Sequence, residues 1–218
     1  NQNQEALQWL QRLPDSEERS ALLLDHIQEL RDAGKVEQAL EAAKLLPQNT
    51  TQERSAAALV NAQLLEGLPQ RQAQAEPLLT KAIAEDPKNA SLLYTRGLSY
   101  VNQNKLRQAE ADLRQALAIE PNSAVANNSL GYILANQGKN LTEARKLISK
   151  ANKLMPNNVA IMDSMGWVEF RLGNLAEAQK WLERSWQADP SPEIAAHLGE
   201  VLWKKGDREQ AATIFNKD

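Results

Sequence analysis

Small and apolar residues recur along this chain at helical spacing, and the pattern itself repeats. Ala39, Ala75, Ala109, Ala144, Ala178 and Ala211 form a ladder with gaps of 36, 34, 35, 34 and 33 residues. Gly97, Gly131, Gly166 and Gly199 lie twelve or thirteen residues before the last four of these alanines. Ala82, Ala116, Ala151 and Ser185 each lie seven residues after an alanine of the ladder, and Pro87, Pro121, Pro156 and Pro190 make a fourth series. Self-similarity at about 34 residues, with no β-type alternation, predicts stacked helical hairpins. Each hairpin places a glycine in the middle of its first helix against small residues on its second, where the crossing backbones come close. The proline ends the second helix, because it lacks an N–H and its ring clashes with the preceding turn. The Asn or Ser that follows, in Asp86-Pro87-Lys88-Asn89, Glu120-Pro121-Asn122-Ser123 and Met155-Pro156-Asn157-Asn158, suits a turn or the N-cap of the next helix.

Composition narrows the chemistry. A hydrophobic fraction of 42% with only 5% aromatic residues suits thin helical layers built on Ala and Leu. The absence of cysteine removes thiol nucleophiles, thiolate zinc sites and disulfides together. His26 and His197 lie in different repeats, and neither has a metal-ligand partner at a spacing a helix could use. Both read as partly buried, hydrogen-bonded side chains. Gly131 to Lys139 imitates a phosphate loop, but six residues separate Gly131 from Gly138 where four are needed, and Asn140 replaces the magnesium-binding hydroxyl. The chain is therefore expected to be no enzyme, with no catalytic, metal or cofactor site. With 25 Lys and Arg against 28 Asp and Glu, a net charge of −3 leaves no basic surplus for a phosphate backbone, so nucleic acid is not an expected partner. No apolar run approaches the ~18 residues a membrane span needs.

Within one unit, Leu93, Gly97, Tyr100, Ala109, Leu113, Ala116 and Pro121 match the tetratricopeptide repeat pattern position by position, and the chain resembles that family over nearly its whole length, most closely from Pro87 to Phe215. The resemblance implies an all-α fold, a right-handed α-solenoid of stacked antiparallel helix pairs, with about five to six repeats plus partial end helices. As one array over residues 1–218, it divides into a partial repeat at 1–14 (second helix only), repeats at 15–49, 50–89, 90–123, 124–158 and 159–191, and a truncated repeat at 192–218. Both ends read as cuts through a longer array, with Asp218 falling inside a second helix. The first two repeats lack the central glycine, Gly67-Leu68-Pro69-Gln70 lengthens a turn, and Pro77 is tolerable only near the first turn of its helix.

In arrays of this family the first helices line the concave side. Counting from the glycine gives candidate protein-binding residues Tyr94 and Asn102, then Asn128, Tyr132 and Asn136, then Asp163, Trp167, Phe170 and Arg171, then Glu200, Trp203 and Lys204. Aromatic rings beside amides and charges of both signs are what a protein partner needs. Trp181 and Trp186 fall on a second helix, where packing between layers is expected. The Lys, Asn and Arg set with which related chaperone cofactors grip a C-terminal carboxylate is absent, its positions holding Tyr94, Leu98, Ser129 and Val125.

The run Asp163-Ser164-Met165-Gly166-Trp167-Val168, with Arg171-Leu172-Gly173-Asn174 and Pro192 to Trp203, resembles the C-terminal repeats of proteobacterial outer-membrane tetratricopeptide lipoproteins. Members of that group include adaptors that bring a periplasmic carboxyl-terminal processing protease to cell-wall hydrolases, and related arrays serve other envelope assemblies. The resemblance implies a Gram-negative source and a periplasmic location at the outer membrane, through a lipid anchor upstream. It also implies protein partners: that protease, peptidoglycan hydrolases, or both. The alternatives are a cytoplasmic location, and a role as assembly factor or chaperone for a pilus, secretion or polysaccharide-export complex.

Overall fold

The computed structural model describes residues 2–215, and among these every regular element is helical. Two compact units divide between Ile119 and Glu120. The first holds α1 (Gln2–Arg12), α2 (Glu17–Asp32), α3 (Val36–Ala43), α4 (Thr51–Glu66), α5 (Ala75–Glu85), α6 (Ala90–Asn102) and α7 (Leu106–Ile119). The second holds α8 (Ala124–Gln137), α9 (Leu141–Leu154), α10 (Val159–Arg171), α11 (Leu175–Ala188), α12 (Pro192–Lys205) and α13 (Arg208–Phe215). The expectation that the last helix continues to Asp218 lies outside the described residues.

The glycine ladder marks where two backbones meet. A β-carbon at Gly131 of α8 would lie 2.5 Å from Ile148 Cγ1 and 3.0 Å from the Ala144 carbonyl oxygen of α9. At Gly166 of α10 it would lie 2.4 Å from Leu182 Cγ and 3.0 Å from the Ala178 carbonyl oxygen of α11. The ladder alanines are the partners that permit this approach, and Ala144 and Ala178 are fully buried. Gly97 of α6 is less crowded, with Leu113 Cγ at 3.1 Å and the Ala109 oxygen at 3.5 Å.

The helix ends follow from the same repeats. Second helices α5, α7, α9 and α11 stop two residues before Pro87, Pro121, Pro156 and Pro190. Asn89, Ser123, Asn158 and Ser191 then cap the next first helix, each side chain accepting from a backbone N–H three residues on. Thr50 opens α4 with a full capping box, its hydroxyl accepting from Glu53 N–H while the Glu53 carboxylate accepts from Thr50 N–H. Within hairpins the chain turns through the left-handed region, at Gly138 (φ +66°) in one and at Asn104 (φ +56°) in another, where the asparagine side chain tolerates what other side chains resist. The longer α4–α5 turn is taken up by a 3-10 segment at Gln72–Gln74, and Pro77 stands third in α5, where its missing N–H has no intrahelical partner to lose.

In the first unit Leu23, Ile27 and Leu30 of α2, Ala39 and Leu40 of α3, Leu64 and Leu65 of α4, and Leu79 of α5 form one buried cluster. Arg19 is buried beside it, donating from Nε to the Leu10 carbonyl at 2.9 Å and pairing with Asp15, which fastens α1 to α2. In the second unit Ala178, Leu182, Leu198, Val201, Leu202 and Ala211 join α11, α12 and α13, with Trp186 packed against them. Glu169 is the one ionisable group among the largest fully buried side chains there. Its carboxylate accepts from Arg145 Nε at 2.6 Å and from Asn174 Nδ2 at 2.7 Å, so its charge is matched.

Candidate functional site

The first helices of the second unit, α8, α10 and α12, lie side by side and carry most of the candidate residues. Trp167 is central. Its indole Nε1–H donates to Asn136 Oδ1 at 2.5 Å, and its ring stacks with His197 (centroids 4.3 Å apart, planes 22°) and with Phe170 (5.2 Å, 29°). Arg171 donates to the Asn136 carbonyl at 2.9 Å and holds its guanidinium 5.7 Å from the Trp167 ring centre. The ring and the polar edge of the indole are thus engaged by the protein, and only 9% of Trp167 is exposed.

His197 joins α12 to this stack. Its Nδ1 lies 2.9 and 3.0 Å from the two carboxylate oxygens of buried Asp163. The carboxylate oxygens can accept from Nδ1–H, and in the neutral imidazole that tautomer leaves Nε2 as an acceptor. The Tyr132 hydroxyl reaches from α8, 3.5 Å from His197 Nε2 and 3.3 Å from Glu193 Oε1, and donates to one of them. Burial pushes the Tyr132 phenol above its ordinary ionisation range; the negative charges of Glu193 and Asp163 add to the shift, and hydrogen bonding with Asn136 opposes it. Asp163, His197 and Tyr132 resemble a proton relay in outline. Burial makes the hydroxyl at its end harder to ionise, the opposite of the shift that activates a nucleophile. Among the described residues no group of three or more His, Asp or Glu is placed to hold a metal ion.

Glu200, Trp203 and Lys204 form the solvent edge of α12. Trp203 is 55% exposed, with Arg208 of α13 placed 5.1 Å from its ring centre. Asn128 Oδ1 on α8 is buried with no hydrogen-bond partner. The remaining candidates belong to the first unit, where Tyr94 packs against Ala90, Leu93 and Ala116, and Asn102 donates to the Glu66 carboxylate at 2.6 Å. The structure therefore brings together Tyr132, Asn136, Asp163, Trp167, Phe170 and Arg171 with Glu193, which the register count also puts on this side, leaves Glu200, Trp203 and Lys204 facing solvent, and adds one residue outside the sequence-derived set, His197. A signal for it existed. Asp163 and His197 are 34 residues apart, one repeat length, and so sit at nearly equivalent places on neighbouring first helices.

The paired helices, the small-residue crossings and the capped turns define the tetratricopeptide repeat class. A family model described as Tetratricopeptide repeat matches residues 94–158 and 164–217, more than half of the chain, and the protein belongs to this family. Over 142 residues it is 43% identical to the TPR repeat-containing protein PA4667 of Pseudomonas aeruginosa, covering 65% of this chain and 24% of that one. Over 145 residues it is 25% identical to the type IV pilus assembly protein PilF of the same species, covering 66% of this chain and 58% of that one. The chain thus spans about a quarter and somewhat over half of these relatives' lengths. Among solved structures it is similar to PilW, a type IV pilus biogenesis factor, with a TM-score of 0.65 at 23% identity over 78% of this chain and 77% of the other, a likeness of fold.

Proposed function

We propose that this chain is a non-catalytic protein-docking scaffold of the Gram-negative cell envelope, held at the outer membrane by a lipid anchor, and that it brings a carboxyl-terminal processing protease to peptidoglycan hydrolases. Holding both on one scaffold raises the effective concentration of substrate at the protease without any new chemistry. The observation that carries the reading is the exposed edge Glu200–Trp203–Lys204, presented on a helix that Asp163, Trp167 and His197 tie down from behind. A rigid aromatic anchor flanked by charges of both signs is the composition of an interface hot spot, and the ordering cost has been met before the partner arrives.

A second reading is assembly of a pilus complex, favoured by the relationship to PilF across two thirds of the chain. Capture from Gram-negative envelope extract on the immobilised protein separates the two. Recovery of a serine protease with its hydrolase substrates supports the first, and recovery of pilin or secretin subunits supports the second. Trp203→Ala should weaken capture about thirtyfold, the ~2 kcal/mol of a hot-spot tryptophan, with helical circular dichroism unchanged. Full capture by that variant would remove α12 from the interface.

A further inference from the structure

Successive first helices do not pack alike in the two units. In the second unit α8 and α10 lie against each other, whereas in the first unit α2 and α4 stand apart and leave a cleft between them. Its wide part, about 730 Å³, is lined by Ala21 and Leu24 of α2, Ala56 and Ala57 of α4, and Leu46 and Pro47 of the intervening turn. Past Leu24 it continues through about 300 Å³ more, between Ile27 of α2 and Val60 and Leu64 of α4. Leu24 borders both parts and is 44% exposed, although it stands in mid-helix beside buried Leu23 and Ile27. Both walls belong to complete hairpins, α2–α3 and α4–α5, so the cleft lies within the array. The side of α2 turned to α1 differs in kind. There His26 Nδ1 lies 3.9 Å from Glu29 Oε2, and Nε2 is buried with no hydrogen-bond partner where the sequence leads one to expect a hydrogen-bonded histidine.

Volumes of this order are those of binding sites, and the lining selects the occupant. Along the middle of the cleft the backbone N–H and C=O groups of α2 and α4 are spent inside those helices, so an extended strand laid there would find no main-chain partner on either wall. A helix has satisfied its own backbone already. The walls are 16 residues each, about 24 Å at ~1.5 Å per residue, which suits an occupant of about four turns. Every charged side chain lining the wide part is a carboxylate: Asp15, Glu17 and Glu53. The narrow part adds Asp25 and Arg31, which cancel. Residues 15–57, which supply most of the walls, hold nine carboxylates and five Lys or Arg, an excess of four negative charges where the whole chain carries −3. Four of those five cations are already paired, Arg19 with Asp15, Arg31 with Asp32, Lys44 with Glu41 and Arg54 with Glu85. The N-termini of α2 and α4 open here with about half a positive charge each, capped by Ser16 and Thr50, and do not reverse the sign. An apolar slot with this rim favours a cationic partner and disfavours an acidic one.

We infer that the α2–α4 cleft is a second docking surface, and that its occupant is an amphipathic basic helix of a partner protein. The apolar stripe of that helix covers Leu24 and fills the space over Ala21, Ala56 and Ala57, and its Lys or Arg residues stand at the Glu17 and Glu53 end. No residue of the α12 edge takes part, so the two surfaces can be occupied at once.

The test uses the whole chain and two synthetic amphipathic helical peptides of about four turns, one of Leu and Lys and one of Leu and Glu with the same apolar pattern. The Leu/Lys peptide should shift the Leu24 methyl resonances in a carbon–proton correlation spectrum, and the Leu/Glu peptide should leave them in place. Calorimetric affinity for the Leu/Lys peptide should fall by about tenfold or more in Leu24→Ala and in the double variant Glu17→Lys with Gln52→Lys. All three side chains are exposed, and unchanged helical circular dichroism checks that the fold is kept. Leu154→Ala removes a leucine of the second unit that is 41% exposed, and should leave the affinity as in wild type. Unmoved Leu24 resonances, equal affinity in wild type and both cleft variants, equal binding of the Leu/Glu peptide, or an equal loss in Leu154→Ala overturns the inference. So does a Leu24-dependent dimer in sedimentation, which would make a second copy of this chain the occupant.

Discussion

Gly166→Ala adds one methyl group where α10 crosses α11, and the structure gives what it would meet. The new carbon would stand 2.4 Å from Leu182 Cγ, 3.0 Å from Leu182 Cδ2 and 3.0 Å from the Ala178 carbonyl oxygen. Leu182 is fully buried and has nowhere to withdraw, and the oxygen is backbone, so relief requires the two helices to separate. Overpacking of this kind costs about 1–3 kcal/mol, and contacts this short belong at the upper end. Alanine in place of glycine inside a helix returns about 1 kcal/mol. The net expectation is a loss of about 2 kcal/mol, read as a fall of roughly 1 M in the urea midpoint followed by far-ultraviolet circular dichroism. Gly97→Ala is the internal control. Its nearest neighbours are Leu113 Cγ at 3.1 Å and the Ala109 oxygen at 3.5 Å, so the propensity gain should offset the crowding and leave stability within about 0.5 kcal/mol of wild type. Gly199→Ala falls between the two: the ring it would strike belongs to Phe215, which is half exposed and free to swing. The reasoning fails if Gly166→Ala is as stable as wild type, or if Gly97→Ala loses as much as Gly166→Ala.

Two further outcomes follow from the α8–α10–α12 face. His197→Ala leaves the Asp163 carboxylate buried without its donor and strips the ring from Trp167, so it should cost about 3 kcal/mol, whereas Asp163→Asn keeps an acceptor for Nδ1–H and should cost about 1 kcal/mol; equal losses in urea titrations would count against the pairing. Tyr132 has its folded ionisation raised by burial first and by Glu193 and Asp163 next, so the folded state keeps a proton that the unfolded chain releases near pH 10. The stability this contributes is complete below that pH and is lost as pH rises through the folded value. Tyr132→Phe should therefore flatten the decline of the urea midpoint above about pH 10, and an unchanged slope would refute it.

Much of this architecture is legible because each part of it is enforced locally. Gly131 and Gly166 announce helix crossings, Pro121 and Pro156 announce helix ends, and Ser123 and Asn158 announce the next helix, all within a few residues of where the effect is felt. The candidate face is legible only in part. Register counting puts Trp167, one residue past Gly166, and Trp203, four past Gly199, on the same side of their helices, yet one is enclosed and the other bare, because enclosure depends on Asn136 from the preceding first helix and His197 from the following one. The Tyr132–Glu193 contact joins residues 61 apart, across an intervening first helix, and no local spacing encodes it. His26 shows the same limit from the other side, since the missing partner of Nε2 is a property of the α1–α2 surroundings.

The distribution of indoles gives the molecule a built-in pair of optical reporters. Of its five tryptophans, Trp9 alone belongs to the first unit, while Trp167, Trp181, Trp186 and Trp203 belong to the second. Emission from the intact protein is therefore weighted towards the second unit, and the enclosed, imidazole-stacked Trp167 differs in colour and quenching from the solvent-bathed Trp203. Replacing Trp9 with phenylalanine removes indole emission from the first unit, and excitation at the red edge of the absorption band leaves its Tyr94 and Tyr100 dark. Fluorescence then follows the unfolding of the second unit alone while dichroism follows both, so the gap between the two curves measures how independently the halves of the chain melt.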